Sequence, residues 1–521
     1  MEDALKRFDL SGFPASWARV NRGIEKESLR VDEQGRIAQT DHPTALGSAL
    51  THPYITTDYS EALVELITPV SDSIDGTLEF LTDLHKYVYQ HLPEGEYLWV
   101  SSMPCLLESE QQIPLARYGS SNIGQLKTLY REGLGHRYGR LMQTVAGIHY
   151  NFSMPDTFWE AYRVLRGSNE DLQDFRTRHY LHLIRNFHRH SWLLLYLFGA
   201  SPAVCKCFAR GREHDLEEFD EATLYKPFAT CLRMGNLGYK SDAQKSIFIC
   251  YNELDNYIDS LQQAMATPYA PYEAIGTRDG DRHLQMNCNL LQLENEFYAS
   301  IRPKRVGPSG KRPLTLLLEE GIQYIEVRAL DLNPYLPLGI DEEQIRFLDA
   351  FLLHCLLDDS PECTREEYFE VEDNIARTVN QGRDPALELK RRGEDIRLRD
   401  WADTLLEDVT HSAQLLDQGQ SDGPHMAALK AQQAKVADDS LTPSARILAD
   451  MKQTGEPFHK LTHRQSLATR DWCQASPLSF ASLDQFTTAS AQSVIDQRRI
   501  EQDDRLDFEE FLAEWNDYRV K

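Results

Sequence analysis

The sequence predicts an α+β protein whose sheet lies in the first two thirds of the chain and whose last third is mainly helical. Short segments in which apolar and polar side chains alternate occur throughout residues 1–345, a pattern typical of half-buried strands. Later segments such as IRFLDAFLLHCLL and GEDIRLRDWADTLLEDVTHSAQLL have apolar residues three and four positions apart, which indicates amphipathic helices. We therefore expect a main α+β region over residues 1–345 and a mainly helical region over residues 346–521, packed on it as one large unit.

Composition supports a folded protein and argues against some partners. Hydrophobic residues make up 41% of the 521 residues and charged residues 26%, the balance of an ordinary globular chain and not of a disordered one. Asp and Glu number 81 against 55 Lys and Arg, which gives a net charge of −26. Such a surface repels phosphate backbones, so we expect no nucleic-acid partner. The charge is compatible with an ATP site, because Mg²⁺ can bridge acidic side chains to a nucleotide.

Cysteine usage and apolar segments predict the cellular location. Nine cysteines are too few for a disulfide scaffold, and the close pair Cys205 and Cys207 has no second pair at zinc spacing. The start MEDALKRFDL has no apolar run of a secretion signal. The most apolar stretch, residues 192–205, is too short to span a bilayer and indicates a buried helix followed by a turn. We therefore expect a soluble cytoplasmic protein with no membrane partner.

The common nucleotide and hydrolase motifs are missing. The nearest match to a P-loop, Gly307–Arg312, has the wrong glycine spacing and an arginine where the motif requires Ser or Thr. The sequence contains no GxGxxG, HExxH, GxSxG or EF-hand loop. Any use of ATP must therefore rely on another kind of site.

The first strand of the predicted sheet, RGIEKESLRV, carries two carboxylates. Alternate side chains of a strand share a face, so Glu25 and Glu27 lie on the same side as Leu29 and Val31. Carboxylates about 7 Å apart on a partly apolar face are costly to bury unless they are paired or bind metal. The pattern indicates one or two divalent cations, or else an edge strand whose Glu side chains lie in water.

Two further segments place acids among apolar residues. In DYSEALVELITP, Glu65 alternates with apolar neighbours as in a strand, although Glu61 and Glu65 would also lie one turn apart on a salt-bridged helix. In GIQYIEVRALD, Glu326 and Arg328 share one strand face. This pair is either a structural ion pair or a metal ligand beside a cation that binds phosphate.

Two more segments have a polar and an apolar face. QTVAGIHYNFS places His149, Asn151 and Ser153 on one side, and LQMNCNL places Gln285, Asn287 and Asn289 on one side. A lone histidine in such a strand is equally consistent with a hydrogen-bonded core residue. Together, at least four strands present acids, amides, His or Arg on a common face, and oxygen-rich ligands favour Mg²⁺ or Mn²⁺ over Zn²⁺. The segments LYREG, CLRMG and SIRPKR add basic residues that suit a polyphosphate or lie on the surface.

Residues 417–442 are polar and nearly uniform, so we predict a mobile segment there. The charged segment QSVIDQRRIEQDDRLDFEEFLAEWNDY near the end of the chain predicts a solvated amphipathic helix. Neither segment carries a candidate site.

The sequence resembles the proteobacterial glutamate–cysteine ligase (gamma-glutamylcysteine synthetase) family. The matching stretches are RGIEKESLRV, ALGSALTHPYITTDYSEALVELITPV, SMPC, ARYGSSNIGQLKTLYREGL, RYGRLMQTVAGIHYNFS, YLFGASPAVC, LENEFYASIRPKR, GIQYIEVRALDLNP and LTPSARIL. They extend from about residue 20 to about residue 450. We transfer nothing to the residues before 20 or beyond about 455.

The resemblance implies a glutamine-synthetase-like fold, in which a curved antiparallel sheet forms a funnel-shaped active site flanked by helices. It implies that ATP and Mg²⁺ (or Mn²⁺) join the glutamate γ-carboxylate to the cysteine amine through an acyl phosphate. The products would be γ-glutamylcysteine, ADP and phosphate, in the first step of glutathione synthesis. Expected partners are therefore glutamate, cysteine and ATP, with glutathione as a feedback inhibitor. The oligomeric state stays open, and a monomer is compatible with the sequence.

The resemblance also assigns residues by motif position. The metal candidates are Glu25, Glu27, Asp58, Glu65, His149 and Glu326, although His is an unusual ligand for Mg²⁺. Arg328 and Arg131 are expected to face the transferring phosphoryl group, and Arg233 to hold the carboxylate of the substrate glutamate. The other substrate-binding candidates are Tyr130, Tyr239, Tyr298, Gln143 and Asn295, and the candidate nucleotide contacts are Lys304 and Arg305. Gln143 is also a lesser candidate for the metal site.

Two alternatives stay open. One is a carboxylate–amine ligase of the same fold that uses another amine, and the other is a catalytically silent paralogue that binds nucleotide or amino acid. The joint presence of Tyr130, Tyr239 and Tyr298 favours a pocket for cysteine. Loss of a metal-site carboxylate would indicate the silent paralogue, and all the candidate carboxylates are present.

Overall fold

This computed structural model describes residues 19–104, 106–238, 242–307 and 311–517. The strands in these residues are β1 (Asn21–Val31), β2 (Ile55–Thr57), β3 (Leu63–Ile67), β4 (Tyr97–Leu98), β5 (Ile148–Ser153), β6 (Ala203–Cys205), β7 (Glu217–Glu218), β8 (Thr223–Tyr225), β9 (Arg278–Asp279), β10 (Arg282–His283), β11 (Ile301–Lys304), β12 (Tyr324–Leu330), β13 (Glu388–Arg391) and β14 (Glu394–Arg397).

The α-helices lie between the strands and over most of the chain after β12. They are α1 (Ile74–His91), α2 (Asn122–Tyr138), α3 (Asp156–Leu165), α4 (Leu172–Phe198), α5 (Lys206–Ala209), α6 (Leu254–Ala266), α7 (Ala270–Ile275), α8 (Pro313–Glu320), α9 (Glu342–Leu357), α10 (Arg365–Gln381), α11 (Leu398–Leu416), α12 (Pro424–Ala437), α13 (Pro443–Thr454), α14 (Phe458–Gln474), α15 (Phe480–Asp503) and α16 (Phe508–Asp517).

Seven strands form the main sheet. Their spatial order is β11-β12-β5-β1-β3-β2, and β4 pairs with the end of β1. All of these pairs are antiparallel. β1 is 11 residues long and pairs with β5 on one side and β3 on the other, so its side chains lie at the centre of the sheet.

One face of the main sheet is packed against helices. Ile24, Tyr150 and Phe152 are fully buried on this face, α4 packs along β11 and β12, and α9 packs on α4. The Tyr150 hydroxyl donates a hydrogen bond to Asp349 of α9 at 2.6 Å. The opposite face of the sheet is therefore the one left to carry polar side chains.

Side-chain caps fix the helices that border the sheet. Helix α2 begins where Ser121 accepts a hydrogen bond from the backbone N–H of Gly124, and α4 begins where Asp171 accepts one from Gln173. Such caps satisfy amide groups that have no partner within the helix. Helix α4 ends at Phe198 and the chain turns into β6, as the apolar stretch of residues 192–205 predicted.

The predicted α+β class is confirmed, and so are the first four polar-faced strands. RGIEKESLRV lies in β1, LVELI forms β3, IHYNFS forms β5 and YIEVRAL forms β12. The alternative of a helix around Glu65 is thereby decided in favour of the strand.

The predicted fifth strand, LQMNCNL, is wrong. The segment is irregular apart from a single bridge between Asn289 and Pro268. Gln285 donates a hydrogen bond to the carbonyl of Gly276 at 2.9 Å, and Asn287 accepts one from the backbone N–H of Asn289 at 3.1 Å. Local hydrogen bonds from amide side chains compete with strand pairing, and the alternating pattern does not reveal them.

The predicted mobile segment is also wrong over most of its length, because α12 occupies Pro424–Ala437. The Asp417 carboxylate accepts hydrogen bonds from the backbone N–H groups of His425 and Met426 at 2.9 Å each. Leu429 of this helix is fully buried.

Within the described residues no helix is long and apolar enough to cross a membrane. The division of the chain near residue 345 stays a prediction.

Candidate active site

Strand register assembles one polar face on the main sheet. Residues directly opposite each other in an antiparallel pair have side chains on the same face. The register places Glu25 of β1 opposite His149 of β5, and Glu27 of β1 opposite Glu65 of β3. These four predicted metal ligands, from three strands, therefore meet at the centre of the sheet.

His149 lies between three of the carboxylates. Its Nδ1 is 3.1 Å from Glu25 and 3.9 Å from Glu65, and its Nε2 is 3.6 Å from Glu27. Glu27 also accepts a hydrogen bond from the backbone N–H of Gly147 at 2.7 Å. The imidazole therefore separates carboxylates that would otherwise repel one another.

Strand β12 extends the polar face with an acid and a base. Its Glu326 lies opposite Asn151 of β5, and Asn151 donates a hydrogen bond to Glu25 at 2.8 Å. Arg328 NH1 is 3.0 Å from Glu326, and Lys304 Nζ is 3.2 Å from it. Burial raises the pKa of Glu326, but Lys304 and Arg328 outweigh burial and hold the pKa well below its ordinary value.

Two of the other carboxylates, Glu65 and Glu27, have raised pKa values, whereas the pKa of Glu25 is lowered. Burial, and then the charges of Glu25 and Glu27, raise the pKa of Glu65 well above its ordinary value. Burial also raises the pKa of Glu27. Burial and Glu326 act to raise the pKa of Glu25, but its hydrogen bond with His149 helps to bring that pKa below the ordinary value. The cluster thus concentrates negative charge, which a bound cation would relieve.

The donor atoms on this face fit a divalent metal ion. Ligand atoms of Glu25, Glu65 and His149 all lie within 4.8 Å of one another. The buried Oδ1 of Asn151 has no hydrogen-bond partner in the described part of the chain. Asp58 lies at the margin: its side chain is 47% exposed, yet its charge contributes to the raised pKa of Glu65. An oxygen-rich set of this kind suits Mg²⁺ or Mn²⁺.

Helix α2 supplies a second basic edge. Arg131 NH2 is 3.9 Å from Asp58, and the guanidinium of Arg131 lies 4.6 Å from the centre of the Tyr118 ring. Lys127 Nζ lies over the same ring at 4.6 Å, and burial, followed by the charge of Arg131, lowers the pKa of Lys127 to about 8. Sequence reasoning missed Lys127, although its place one helical turn before Arg131 was an available signal.

Arg233 is held at the border of the acid cluster, which consists of Glu25, Glu27, Glu65 and Glu326. Its Nε donates a hydrogen bond to Asp331 at 2.7 Å, and the two side chains are 4% and 0% exposed. A Cβ on Gly147 would lie 3.0 Å from Arg233 NH1, so glycine permits this close approach to the strand that begins at Ile148. The negative charge of Glu27 also acts on Arg233. Asp331 was not singled out from the sequence.

Comparison with known proteins places the chain in a family. A family model described as glutamate-cysteine ligase matches residues 5–378. The chain belongs to the glutamate–cysteine ligase family. It is 51% identical to the glutamate–cysteine ligase of Pseudomonas aeruginosa PAO1 over 98% of both chains. It is 49% identical to that of Alcanivorax borkumensis over 96% of both chains.

Two solved structures resemble this member of the glutamate–cysteine ligase family. One is the glutamate–cysteine ligase of Francisella tularensis in complex with AMP, which is 33% identical with a TM-score of 0.90 and covers 96% of this chain and 97% of its own. The other is a bifunctional glutathione synthetase from Pasteurella multocida, 25% identical with a TM-score of 0.73, over 91% of this chain and 56% of its own. The shared fold therefore includes the C-terminal helices as well as the sheet.

Two of the three tyrosines predicted for the substrate pocket, Tyr130 and Tyr298, lie in the described part of this glutamate–cysteine ligase family member. Gln143 Nε2 donates a hydrogen bond to the Tyr298 hydroxyl at 2.8 Å, and Tyr298 lines a cavity of about 370 Å³. Burial, and then Glu296, raise the pKa of Tyr130 well above its ordinary value. Tyr239 lies outside the described residues.

Two candidates are not brought to the acid cluster. Arg305 follows the last residue of β11, and its guanidinium donates hydrogen bonds to the Gly321 carbonyl at 2.8 Å and to Gln173 at 3.1 Å. Asn295 is exposed, and its backbone carbonyl accepts a hydrogen bond from Arg302 at 2.8 Å. Arg305 therefore stabilises the end of α8, and the substrate roles of both residues stay predictions.

Proposed function

We propose that this protein uses ATP to join the γ-carboxylate of L-glutamate to the amine of L-cysteine, giving γ-glutamylcysteine, ADP and phosphate, the first step of glutathione synthesis. The chain belongs to the glutamate–cysteine ligase family, and one observation on its main sheet supports the proposal most directly. Four glutamates meet on one sheet face around a histidine, with basic side chains on two sides. Such a face suits a reaction that gathers phosphate charge between bound metal and fixed cations.

The metal proposed for this face is Mg²⁺ or Mn²⁺, held by Glu25, Glu65 and His149 with Glu27, Glu326 and Asp58 around them. When bound, the ion would neutralise phosphate oxygens and orient the γ-phosphoryl group of ATP. The donor chemistry supports this choice, because carboxylate oxygens predominate. The raised pKa of Glu65 supports it as well, since a cation would relieve the crowding of negative charge.

Phosphoryl transfer is the first step. An oxygen of the glutamate γ-carboxylate attacks the γ-phosphorus of ATP, the bond to the bridging oxygen breaks, and ADP leaves. Arg328 on the sheet and Arg131 on α2 would stabilise the charge spread over the transferring oxygens. Each guanidinium has a fixed partner, the Glu326 carboxylate for Arg328 and the backbone carbonyl of Asp58 for Arg131. Lys304 adds a positive charge beside Arg328, and no protein nucleophile is required.

Amide formation is the second step. The cysteine amine attacks the acyl carbon, the carbon–oxygen bond to phosphate breaks, and the nitrogen loses a proton. We assign Arg233, which Asp331 orients, to the α-carboxylate of the substrate glutamate. Tyr130 and Tyr298, the latter fixed by Gln143, are assigned to the pocket for the small thiol side chain. Glutathione contains the same γ-glutamylcysteine unit, so we expect it to compete for this site.

A coupled assay tests the proposal. The purified protein is given ATP, Mg²⁺ and L-glutamate, with and without L-cysteine, and ADP and γ-glutamylcysteine are quantified together. We expect ADP release that depends on cysteine and is matched one-to-one by the dipeptide. ADP release with 2-aminobutyrate but not with cysteine would change the amine substrate. Nucleotide binding without turnover on any amine would identify a silent paralogue.

A further inference from the structure

A second group of metal-ligating side chains lies among the helices, away from the strands of the main sheet. His190 of α4, together with His354 and Asp358 at the end of α9, each offer one ligand atom, and these atoms all lie within 4.8 Å of one another. His354 is 1% exposed, and the ring centres of His190 and His354 are 6.3 Å apart. His354 and Asp358 are four residues apart, so successive turns of the helix bring them together.

The polar atoms of this group have few protein partners. The Nδ1 atoms of His190 and His354 are buried and have no hydrogen-bond partner within the residues that the structure describes. The same is true of Nε2 of His411 on α11, a residue whose charge acts on His354. Buried polar atoms in native proteins nearly always have a partner, and a bound ion is one explanation for an exception. Because His354 is almost completely buried, the grouping of these three side chains is not a chance cluster on the surface.

We propose that His190, His354 and Asp358 bind a divalent transition-metal ion of the Zn²⁺ type. Two imidazoles and one carboxylate form a ligand set suited to Zn²⁺, with a fourth position left for water or for His411. Mg²⁺ prefers oxygen ligands and is disfavoured here. The two clusters of this protein would thus select different metals. The cluster on the sheet would bind ions that prefer oxygen ligands, and the cluster between the helices would bind ions that prefer nitrogen ligands.

The charges around the helical site set limits on its affinity. Arg189, Arg391 and Arg392 act electrostatically on His190 and oppose a cation. Asp408 lies within electrostatic range of Asp358 and favours one. A metal at this position would connect α4 to the end of α9 and, through His411, to α11. The role of this metal is therefore structural, and its loss should lower thermal stability without changing the acid cluster on the main sheet.

Zinc binding by the full-length, metal-free protein tests the proposal. Zn²⁺ is titrated against a chromophoric chelator in excess Mg²⁺, so that Mg²⁺ competes with Zn²⁺ for the acid cluster on the main sheet. We expect one Zn²⁺ per chain to bind in the presence of Mg²⁺. His354→Gln and His190→Gln should each weaken this binding by about 100-fold or more. His182→Gln, a change at another half-buried histidine of α4, should leave it unchanged.

Thermal unfolding gives an independent readout. Zn²⁺ should raise the melting temperature of the wild-type protein in excess Mg²⁺ but not that of His190→Gln. Equal zinc affinity in the wild-type, His354→Gln and His190→Gln proteins would overturn the proposal and place the ion elsewhere. Absence of tight zinc binding in the wild-type protein would also overturn it. If His354→Gln does not fold, Asp358→Asn, at a half-buried position, is held to the same expectation.

Discussion

Both faces of the main sheet carry charged residues, but the charges balance on only one of the two faces. On the helix-packed face, Arg22 donates a hydrogen bond to one oxygen of Asp349 at 2.9 Å, and Tyr150 donates to the other at 2.6 Å. Arg22 and Asp349 balance each other, and their side chains are 4% and 0% exposed. On the polar face, Glu25, Glu27, Glu65 and Glu326 share Arg328, Lys304 and one histidine.

The difference separates a structural arrangement from a functional one. A buried ion pair whose charges cancel needs no further ligand, and it fixes how the sheet docks on α9. Four carboxylates facing two permanent cations leave an excess of negative charge, and burial followed by the charges of Glu25 and Glu27 raises the pKa of Glu65. Such a cluster costs folding free energy unless it binds a cation. Excess charge is therefore the feature that identifies the candidate site.

The largest expected effect is on catalysis at Glu27. Glu27→Gln keeps the shape of the side chain and removes one ligand charge, so turnover should fall by about 1,000-fold. The melting temperature of the metal-free protein should hardly change, because removing a charge relieves repulsion in the acid cluster. Both are measured on the same preparation, by the coupled assay and by thermal unfolding.

The matched control for this variant is Glu33→Gln, at an exposed position just after β1. Its turnover should equal that of the wild-type protein. Wild-type turnover in Glu27→Gln would remove Glu27 from the metal site.

The opposite face should respond in stability and not in catalysis. Arg22→Met leaves the buried Asp349 carboxylate without its cation, so the free energy of unfolding should fall by about 3 kcal/mol. Turnover per folded molecule should stay within about twofold, because Arg22 faces away from the acid cluster. Arg19→Met is the control, since its pair with Asp72 is exposed at 67% and 50%. A similar loss of stability in both variants would contradict the contrast between the faces.

Arg328 tests whether geometry matters on the polar face as well as charge. Arg328→Lys replaces a planar fork with a point charge, so kcat should fall by about 100-fold while the protein stays folded. Steady-state kinetics at varied ATP separate kcat from KM. Arg36→Lys, in an exposed pair with Asp32, should have no effect. An unchanged rate in Arg328→Lys would move phosphate binding to another cation.

The sequence could predict the strands of this site because side-chain direction in a strand follows a local two-residue period. It could not predict their pairing from local patterns. Glu25 and His149 are 124 positions apart, and neither segment specifies the register that brings them together. The resemblance to a family supplied the joint assignment that the separate segments could not.

Other parts of the molecule depend on contacts that a local pattern does not show. LQMNCNL has the alternation of a strand, yet Gln285 and Asn287 bond to nearby backbone groups instead. Arg305 lies in a basic run with Lys304, but β11 ends between them and their side chains have different partners. The histidines of α4 and α9 show no motif, because their proximity arises from the packing of two helices.

The smallest expected effect concerns pH and Glu65. Its raised pKa in the folded state means that it contributes stability below pH 4.5, its ordinary value, and that this stability is lost as the pH rises through the raised pKa. In chelator, the wild-type protein should therefore lose stability relative to Glu65→Gln as the pH rises above about 4.5, the ordinary pKa of a glutamate. At pH 8 the melting temperature of Glu65→Gln should exceed that of the wild-type protein by about 2 °C. Thermal unfolding in chelator at several pH values measures the difference.

Saturating Mg²⁺ provides the internal control for this prediction. If the cation binds the ionised cluster, it should stabilise the wild-type protein more as the pH rises, so the difference in stability from Glu65→Gln should shrink or reverse. Glu25 and Glu326 do not confuse the measurement, because their pKa values are lowered and their stabilisation is lost only as the pH falls below about 4.5. An equal pH dependence of stability in the wild-type protein and Glu65→Gln would assign the raised pKa to Glu27 instead, whose pKa is also raised by burial.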